Sequence, residues 1–298
     1  ATPAYLEVGG QKFYEWNRAG FGRRLTPAQG FSYSSAVVTY QLAQRLKIDR
    51  LAACGRAWGF GEPTGIDLPT EIGGVVPDQD WARTTINRTL YDGEVLQSAL
   101  GQGYDLATPL QVMNSFAALA NGGTLWQPHV VLELRNPDGT LAQTIEPVER
   151  GSVGMRSTTL AEMRRAARLV VANTLMTRNL GQIPLNLAGK TGTAEYGVRD
   201  KQGRLPYHNW ISGFVAPTDN WSKTDADFAY VVFMHGSNTA ANAALEVLKR
   251  YLQLRIPLNG TSPTRIKRHQ CVTRAALREI RRVSCIRIVQ PGCTRWRE

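Results

Sequence analysis

Four neighbouring residues, Lys190, Thr191, Gly192 and Thr193, have the chemistry of an anion-binding segment within the run AGKTGTAE. An ammonium group and two hydroxyls on one edge strand can present a cation and hydrogen-bond donors to a group such as a carboxylate. Gly192 has no side chain, so another molecule can approach the backbone closely. The backbone N–H that follows it can stabilise an oxyanion. The alternative is a purely structural segment, an exposed strand with a turn and no binding role.

Three segments in the last third of the chain, 187–194, 210–215 and 228–235, predict the strands that would hold these residues. Segments 129–135 and 140–145 flank the turn sequence NPDG and predict a β-hairpin. Strands joined by loops, with helices before and after them, favour a mainly antiparallel sheet packed by helices.

Capping signals predict several helices. The clearest is the capping box of Thr108 and Gln111, which starts a helix that ends near Asn121 before two glycines. Residues 1–31 predict strand and loop, and residues 66–95 predict irregular structure. The other predicted helices are 36–46, a short helix capped by Asp49 and ending at Trp58, a helix from the capping box of Thr159 and Glu162 to Asn173, and a helix capped by Thr239 and ending near Leu254.

Composition excludes several classes of protein. The chain has 298 residues, 43% of them hydrophobic, which is too apolar for a mostly disordered chain. The longest apolar stretches are far shorter than the ~20 residues that span a bilayer. Four cysteines are too few for a disulfide scaffold.

The net charge of +11 is concentrated at one end of the chain. Residues 264–298 carry nine Arg, one Lys and two acids, a net of +8, which leaves only +3 for the remaining 263 residues. No nucleic-acid partner is therefore expected for the body. The basic end could bind polyanions, or it could be a solvated extension, and its abrupt change of composition suggests that it is of doubtful origin.

The segment AGKTGTAE resembles the Lys-Thr-Gly motif of the penicillin-binding transpeptidases. Other segments resemble the same family in the same order. They are YSSAVVTYQLA (33–43), GFGEPTGIDLPTE (59–71), ALGQGYDLATPLQ (99–111), ALANGG (118–123) and HNWISGFVAP (208–217). Their order and spacing are most similar to class B penicillin-binding proteins of the elongation type, penicillin-binding protein 2.

The resemblance implies an α+β fold of the penicillin-binding transpeptidase and serine β-lactamase type. In that fold an antiparallel sheet is packed by helices and accompanied by a helical subdomain. Residues 1–256 are then expected to be the carboxy-terminal part of a transpeptidase domain, and residues 257–298 a basic Arg/Cys-rich tail.

The same resemblance implies roles for single residues. Lys190 is expected to bind the terminal carboxylate of the substrate and to assist proton transfer. Thr191 and Thr193 are expected to line the same subsite beside Gly192, with the N–H of Thr193 in the oxyanion hole. Ser34 is expected to be the serine of the second motif, which relays a proton. The alternative for Ser34, compatible with that role, is a helix N-cap.

The sequence departs from the family pattern at two places. The second motif normally ends in Asn or Asp, and Ala36 stands there. The nucleophile of the family is the serine of Ser-x-x-Lys, but no serine in this chain has a lysine three residues on. We therefore expect the chain to be a piece of a longer protein that lacks the nucleophile, the preceding domain and the membrane anchor, and to be inactive alone.

The implied activity is that of a peptidoglycan D,D-transpeptidase of the bacterial cell envelope, on the outer face of the cytoplasmic membrane. Its partners would be D-Ala-D-Ala stem peptides, β-lactams and the cell-wall elongation machinery, and its chemistry would need no metal or organic cofactor. The alternatives are a non-catalytic penicillin- or peptidoglycan-binding module, a penicillin-recognising sensor and a serine β-lactamase.

Overall fold

The computed structural model of the chain describes residues 2–173, 185–217, 220, 224 and 226–255. Within these ranges the helices are α1 (Pro27–Ser32), α2 (Ala36–Ala57), α3 (Gln79–Thr85), α4 (Asp92–Ser98), α5 (Pro109–Asn121), α6 (Ser157–Asn173) and α7 (Ala240–Arg255). The strands are β1 (Tyr5–Val8), β2 (Gln11–Tyr14), β3 (Thr124–Trp126), β4 (Glu133–Arg135), β5 (Leu141–Thr144), β6 (Glu149–Ser152), β7 (Asn186–Glu195), β8 (Tyr207–Ala216) and β9 (Phe228–His235).

The three long strands form an antiparallel sheet in the order β7-β8-β9. Successive side chains of a strand point to opposite faces, and here both faces are covered. Buried residues of α5 and α6, such as Met113 and Leu160, pack with Phe214 on one face. Leu248 of α7 packs with Ile211 on the other. The predicted antiparallel sheet packed by helices is confirmed, and its first strand carries the KTGT segment.

A third hydrophobic cluster lies in the first hundred residues and is mainly helical. Phe13 of β2 packs with Val37 and Tyr40 of α2, and with Leu96 of α4. Helix α1 joins the two regions, because the buried hydroxyl of Ser32 donates a hydrogen bond to the carbonyl of Ala166 in α6. This helical region brings the amino end of α2 to the sheet.

The predicted strands and the strongest local signals are confirmed. Helix α5 begins at the capping box of Thr108 and Gln111 and ends at Gly122, whose φ of 94° is left-handed. The predicted hairpin forms from β4 and β5, although both strands are shorter than expected. Helix α7 begins directly after Thr239, as predicted.

The predicted helix 36–46 and the short helix before Trp58 are confirmed as the two parts of α2, which is interrupted at Lys47, where φ is 62°. Other details of the helix predictions were wrong. Asp49 does not cap the second part, and its carboxylate accepts the N–H of Gln79 instead. Thr159 is not a cap, because α6 begins at Ser157. The sequence patterns did not predict α1, α3 and α4, which lie mainly in stretches expected to be loop or irregular. The expected basic tail, 257–298, lies outside the described residues.

Candidate active site

Ser34 occupies the short connection between α1 and α2. Its φ is 54°, so it has the left-handed backbone conformation that few non-glycine residues adopt. Its N–H donates to the carbonyl of Phe31 at 3.1 Å. The N-cap of α2 is the next residue, Ser35, whose hydroxyl accepts the N–H of Val38. The alternative role of Ser34 as that cap is therefore wrong, and its exposed hydroxyl is left for other contacts.

Lys190 of β7 reaches that hydroxyl. Its Nζ donates to Ser34 Oγ at 2.6 Å and to the carbonyl of Thr191 at 2.8 Å. The two residues are 156 positions apart in the sequence. The fold thus brings together the two side chains that the family resemblance suggested as catalytic.

Burial changes the chemistry of Lys190. The side chain is half-buried, not exposed as the edge-strand interpretation implied. Burial lowers the pKa of its ammonium group from an ordinary value of 10.5 to about 8. At pH 7, about one molecule in ten then carries a neutral amine. A lysine in this state can hold an anion as the cation and can also accept a proton as the amine.

The three residues after Lys190 continue along the strand. Thr191 pairs with Ile211, Gly192 with Trp210 and Thr193 with Asn209. Because Thr191 and Thr193 are two positions apart, their side chains share a face of β7.

Gly192 is not required by packing within the chain. A Cβ on Gly192 would lie 3.4 Å from the Cβ of Trp210, an ordinary contact distance. A side chain at this position would not clash with Trp210, so what the glycine provides is space for an approaching molecule.

Two polar residues near this strand were missed by the sequence reasoning. Gln102 donates from Nε2 to the carbonyl of Thr193 at 3.5 Å. Asn209 donates from Nδ2 to the carbonyl of Gly192 at 3.4 Å and accepts the N–H of Ala240 through Oδ1. Gln102 lies in the segment ALGQGYDLATPLQ, so the motif was visible although the contact was not.

A third missed residue is Glu15, whose side chain is only 1% exposed. Its carboxylate accepts hydrogen bonds from the Ser35 hydroxyl and from the first N–H groups of α2. No local pattern around position 15 announces this contact, which crosses about twenty residues of sequence.

The described part of the chain shows no candidate metal site. No group of three or more His, Cys, Asp or Glu side chains there is arranged to hold a metal ion. Among the described helices, none combines the length and the apolar character needed to cross a bilayer.

An antiparallel sheet with helices on both faces, and a Lys-Thr-Gly strand facing a serine at a helix start, define a transpeptidase-like fold and site. The chain belongs to the penicillin-binding protein transpeptidase domain family, whose model matches residues 2–252. The family and fold expected from the sequence are therefore confirmed.

The curated relatives include peptidoglycan D,D-transpeptidases named MrdA. The chain is 27% identical to the peptidoglycan D,D-transpeptidase MrdA of Haemophilus influenzae over 83% of its own length and 39% of that protein. It is 29% identical to MrdA of Escherichia coli K12 over 73% of its length and 36% of that protein. The chain thus spans less than two-fifths of these two relatives.

Solved structures agree on the fold. The chain matches penicillin-binding protein 2 of Pseudomonas aeruginosa, solved in complex with WCK 5153, with a TM-score of 0.70 and 26% identity over 87% of this chain and 56% of that one. It matches penicillin-binding protein 2 of Helicobacter pylori, solved in complex with MreC, with a TM-score of 0.65 and 28% identity over 86% of this chain and 45% of that one.

Proposed function

We propose that this chain is part of a peptidoglycan D,D-transpeptidase and supplies the substrate-binding half of its active site. The observation that carries the proposal is the 2.6 Å contact between Lys190 Nζ and Ser34 Oγ, beside the KTGT strand. A half-buried lysine of lowered pKa and a hydroxyl in direct contact form a pair that can pass a proton.

In the proposed reaction, a serine hydroxyl attacks the carbonyl of the D-Ala-D-Ala bond of a stem peptide. The hydroxyl proton passes to a base, the peptide bond breaks, and D-Ala leaves with a proton on its nitrogen. An amine of a second stem peptide then attacks the acyl-enzyme and restores the serine. β-Lactams would acylate the same serine, because their ring amide mimics the dipeptide.

The residues of this chain would act around that reaction. Lys190, Thr191 and Thr193 would bind the terminal carboxylate, and the N–H of Thr193 would donate to the oxyanion. Lys190 and Ser34 would relay the proton. Gly192 would let the substrate backbone lie against β7.

The attacking serine is not assigned within this chain, because no serine has the Ser-x-x-Lys spacing. We infer that the chain alone binds its ligands reversibly and does not form an acyl-enzyme. Ala36, which replaces the usual amide or carboxylate of the second motif, also favours the second candidate function, a module that binds the stem peptide without covalent chemistry.

Location and partners follow from the same proposal. The protein would act in the bacterial cell envelope, outside the cytoplasmic membrane, together with the elongation machinery of the wall. The relative from Helicobacter pylori was solved as a complex with MreC, which supports a partner of this kind.

The test is binding of a stem-peptide mimic that ends in D-Ala-D-Ala to the full 298-residue chain, measured by ligand-observed NMR. We expect reversible binding that Lys190→Ala abolishes. Lys249→Ala is the matched control, because Lys249 lies on α7 and pairs with Glu246, so binding should be unchanged. Binding of equal strength in Lys190→Ala would contradict the proposed site.

Intact-mass measurement after incubation with a penicillin separates the two candidate functions from an unrecognised catalytic centre. We expect the unmodified mass in a folded sample. An adduct that survives denaturation would show that this chain contains a working nucleophile.

A further inference from the structure

We propose that Glu15 is the positioning residue of the candidate active site. Its buried carboxylate fixes the first turn of α2 and thereby holds the Ser34 hydroxyl against Lys190 Nζ. The inference rests on the proposed function, in which Ser34 and Lys190 act as a pair. It concerns a residue outside every motif that the sequence resemblance covers.

The carboxylate of Glu15 is fully used by hydrogen bonds. Oε2 accepts the Ser35 hydroxyl at 2.6 Å and the N–H of Val37 at 3.2 Å. Oε1 accepts the N–H of Ala36 and the N–H of Trp16, each at 3.0 Å. Four donors satisfy two oxygens, and three of the four belong to the start of α2.

The charge of Glu15 is compensated by the helix and not by a cation. Among the described residues, no lysine or arginine forms an ion pair with it. The amino end of a helix carries a partial positive charge and unpaired N–H groups. Donors of this kind offset the cost of burying a carboxylate, so Glu15 and the first turn of α2 stabilise each other.

Ser34 depends on this turn because its own backbone is unfavourable. A left-handed conformation is unfavourable for a non-glycine residue, so the surrounding structure must impose it. On its amino side, the N–H of Ser34 is tied to Phe31 of α1. On its carboxyl side, the next residue, Ser35, is tied to Glu15 through its hydroxyl.

The residue after Glu15 contacts the other neighbour of Ser34. The indole Nε1 of Trp16 donates to the carbonyl of Tyr33 at 3.0 Å. Glu15 and Trp16 together therefore bind the chain on both sides of Ser34. The N–H of Glu15 is itself bound to the carbonyl of Ala4 at 2.8 Å, which ties this segment to the β1–β2 hairpin.

Ala36 explains why the positioning falls to a distant residue. The resemblance places an amide or carboxylate at this position, where it could orient the lysine directly. The methyl group of Ala36 cannot do so, and the Ala36 backbone instead donates its N–H to Glu15. The orientation of Ser34 is then set through the backbone of the turn.

The test is a mutational cycle read out by the pKa of Lys190 in the full chain. The chain has only seven lysines, so Nζ signals can be titrated by NMR and assigned with Lys190→Arg. Ser34→Ala removes a hydrogen-bond acceptor from the charged lysine, so it should lower the Lys190 pKa. In a Glu15→Gln background, where the hydroxyl is no longer held, Ser34→Ala should produce no shift.

An equal Ser34→Ala shift in the wild-type and Glu15→Gln backgrounds would overturn the proposal. If Glu15 had a purely structural role, Glu15→Gln would lower the melting temperature but leave the Ser34→Ala shift of the Lys190 pKa intact. Glu7→Gln is the matched control, since it removes the same charge from an exposed position on β1, and it should preserve the shift.

A second variant covers the case in which Glu15→Gln does not fold. Glu15→Asp keeps the charge but is one methylene shorter, so it should reduce the Ser34→Ala shift, and an undiminished shift would refute the proposal. These titrations need no ligand. Failure of the stem-peptide binding experiment would therefore reject the proposed function without deciding the role of Glu15.

Discussion

Replacing Lys190 by Met should make the protein more stable at neutral pH. Burial lowers the pKa of Lys190 from 10.5 to about 8, and each pKa unit corresponds to about 1.4 kcal/mol. The charged form in the folded protein is therefore disfavoured by about 3 kcal/mol. Met has a similar length and no charge, so the substitution removes that penalty.

The direction of the pKa shift determines how the stability of the folded protein changes with pH. The folded pKa lies below the unfolded one, so the folded protein binds fewer protons between pH 8 and 10.5. The stability of the wild type should rise across this window. The advantage of Lys190→Met is therefore complete below pH 8 and shrinks as the pH rises. The substitution also removes the hydrogen bonds of Lys190 to Ser34 and Thr191, and this loss offsets part of the gain.

The assay is urea denaturation of both proteins at several values between pH 7 and 10. The stability difference should change by about 3 kcal/mol at most. Lys249→Met is the control for removing a lysine from the surface of α7. If the difference between the wild type and Lys190→Met is independent of pH, Lys190 titrates normally and the account of the site is wrong.

Three further predictions concern other parts of the fold. Burial raises the pKa of the Asp105 carboxyl to about 6, against a hydrogen bond from Ser98 that lowers it. Stability contributed by the protonated form is then lost as the pH rises from about 4 through 6. Asp105→Asn should stabilise the protein at pH 7 by about 1 to 2 kcal/mol, allowing for solvent screening, as measured by urea denaturation. Burial, followed by the neighbouring His235, lowers the pKa of His208, so stability falls as the pH drops below about 6.5. His235→Gln should raise the His208 pKa in an NMR titration, and an unchanged value would contradict the electrostatic coupling. Thr108→Ala removes the cap of α5 and should cost about 1 kcal/mol of unfolding free energy; a loss near zero would show that the cap is redundant.

The elements that the sequence predicted well are those with strong local signals. Strand β9 contains the continuous apolar run FAYVVFM, and α5 has a capping box, a proline at its first turn and a left-handed glycine at its end. Their structure follows from short-range chemistry, so a single sequence is enough to recognise them.

The missed helices are short, with six or seven residues each. Helix α1 has only six residues, yet Thr26 and Gln29 form a capping box and Pro27 occupies its first turn. The local signal for this helix is therefore present in the sequence. Helix α3 is capped by Asp78, which also pairs with Arg56 of α2. Helices of this length depend on packing against their neighbours, and periodicity alone does not find them.

Some residues of the candidate site could likewise be predicted from the sequence, and others could not. Lys190, Gly192 and the two threonines form a contiguous motif, and the motif order pointed to Ser34. The contact of Lys190 with Ser34 could be expected only through the family resemblance. Glu15 and Gln102 contact residues that are far away in the sequence. Glu15 binds the start of α2, and Gln102 binds the carbonyl of Thr193. No spacing rule in the sequence connects them to the site.

The central claim is that Lys190 is the cation that binds the carboxylate of the ligand. The most direct measurement is the NMR titration of Lys190 Nζ in the full chain, with and without a saturating concentration of a penicillin. A bound carboxylate favours the charged lysine, so the pKa should rise from about 8. A Lys190 titration curve that is the same with and without the penicillin would contradict the claim.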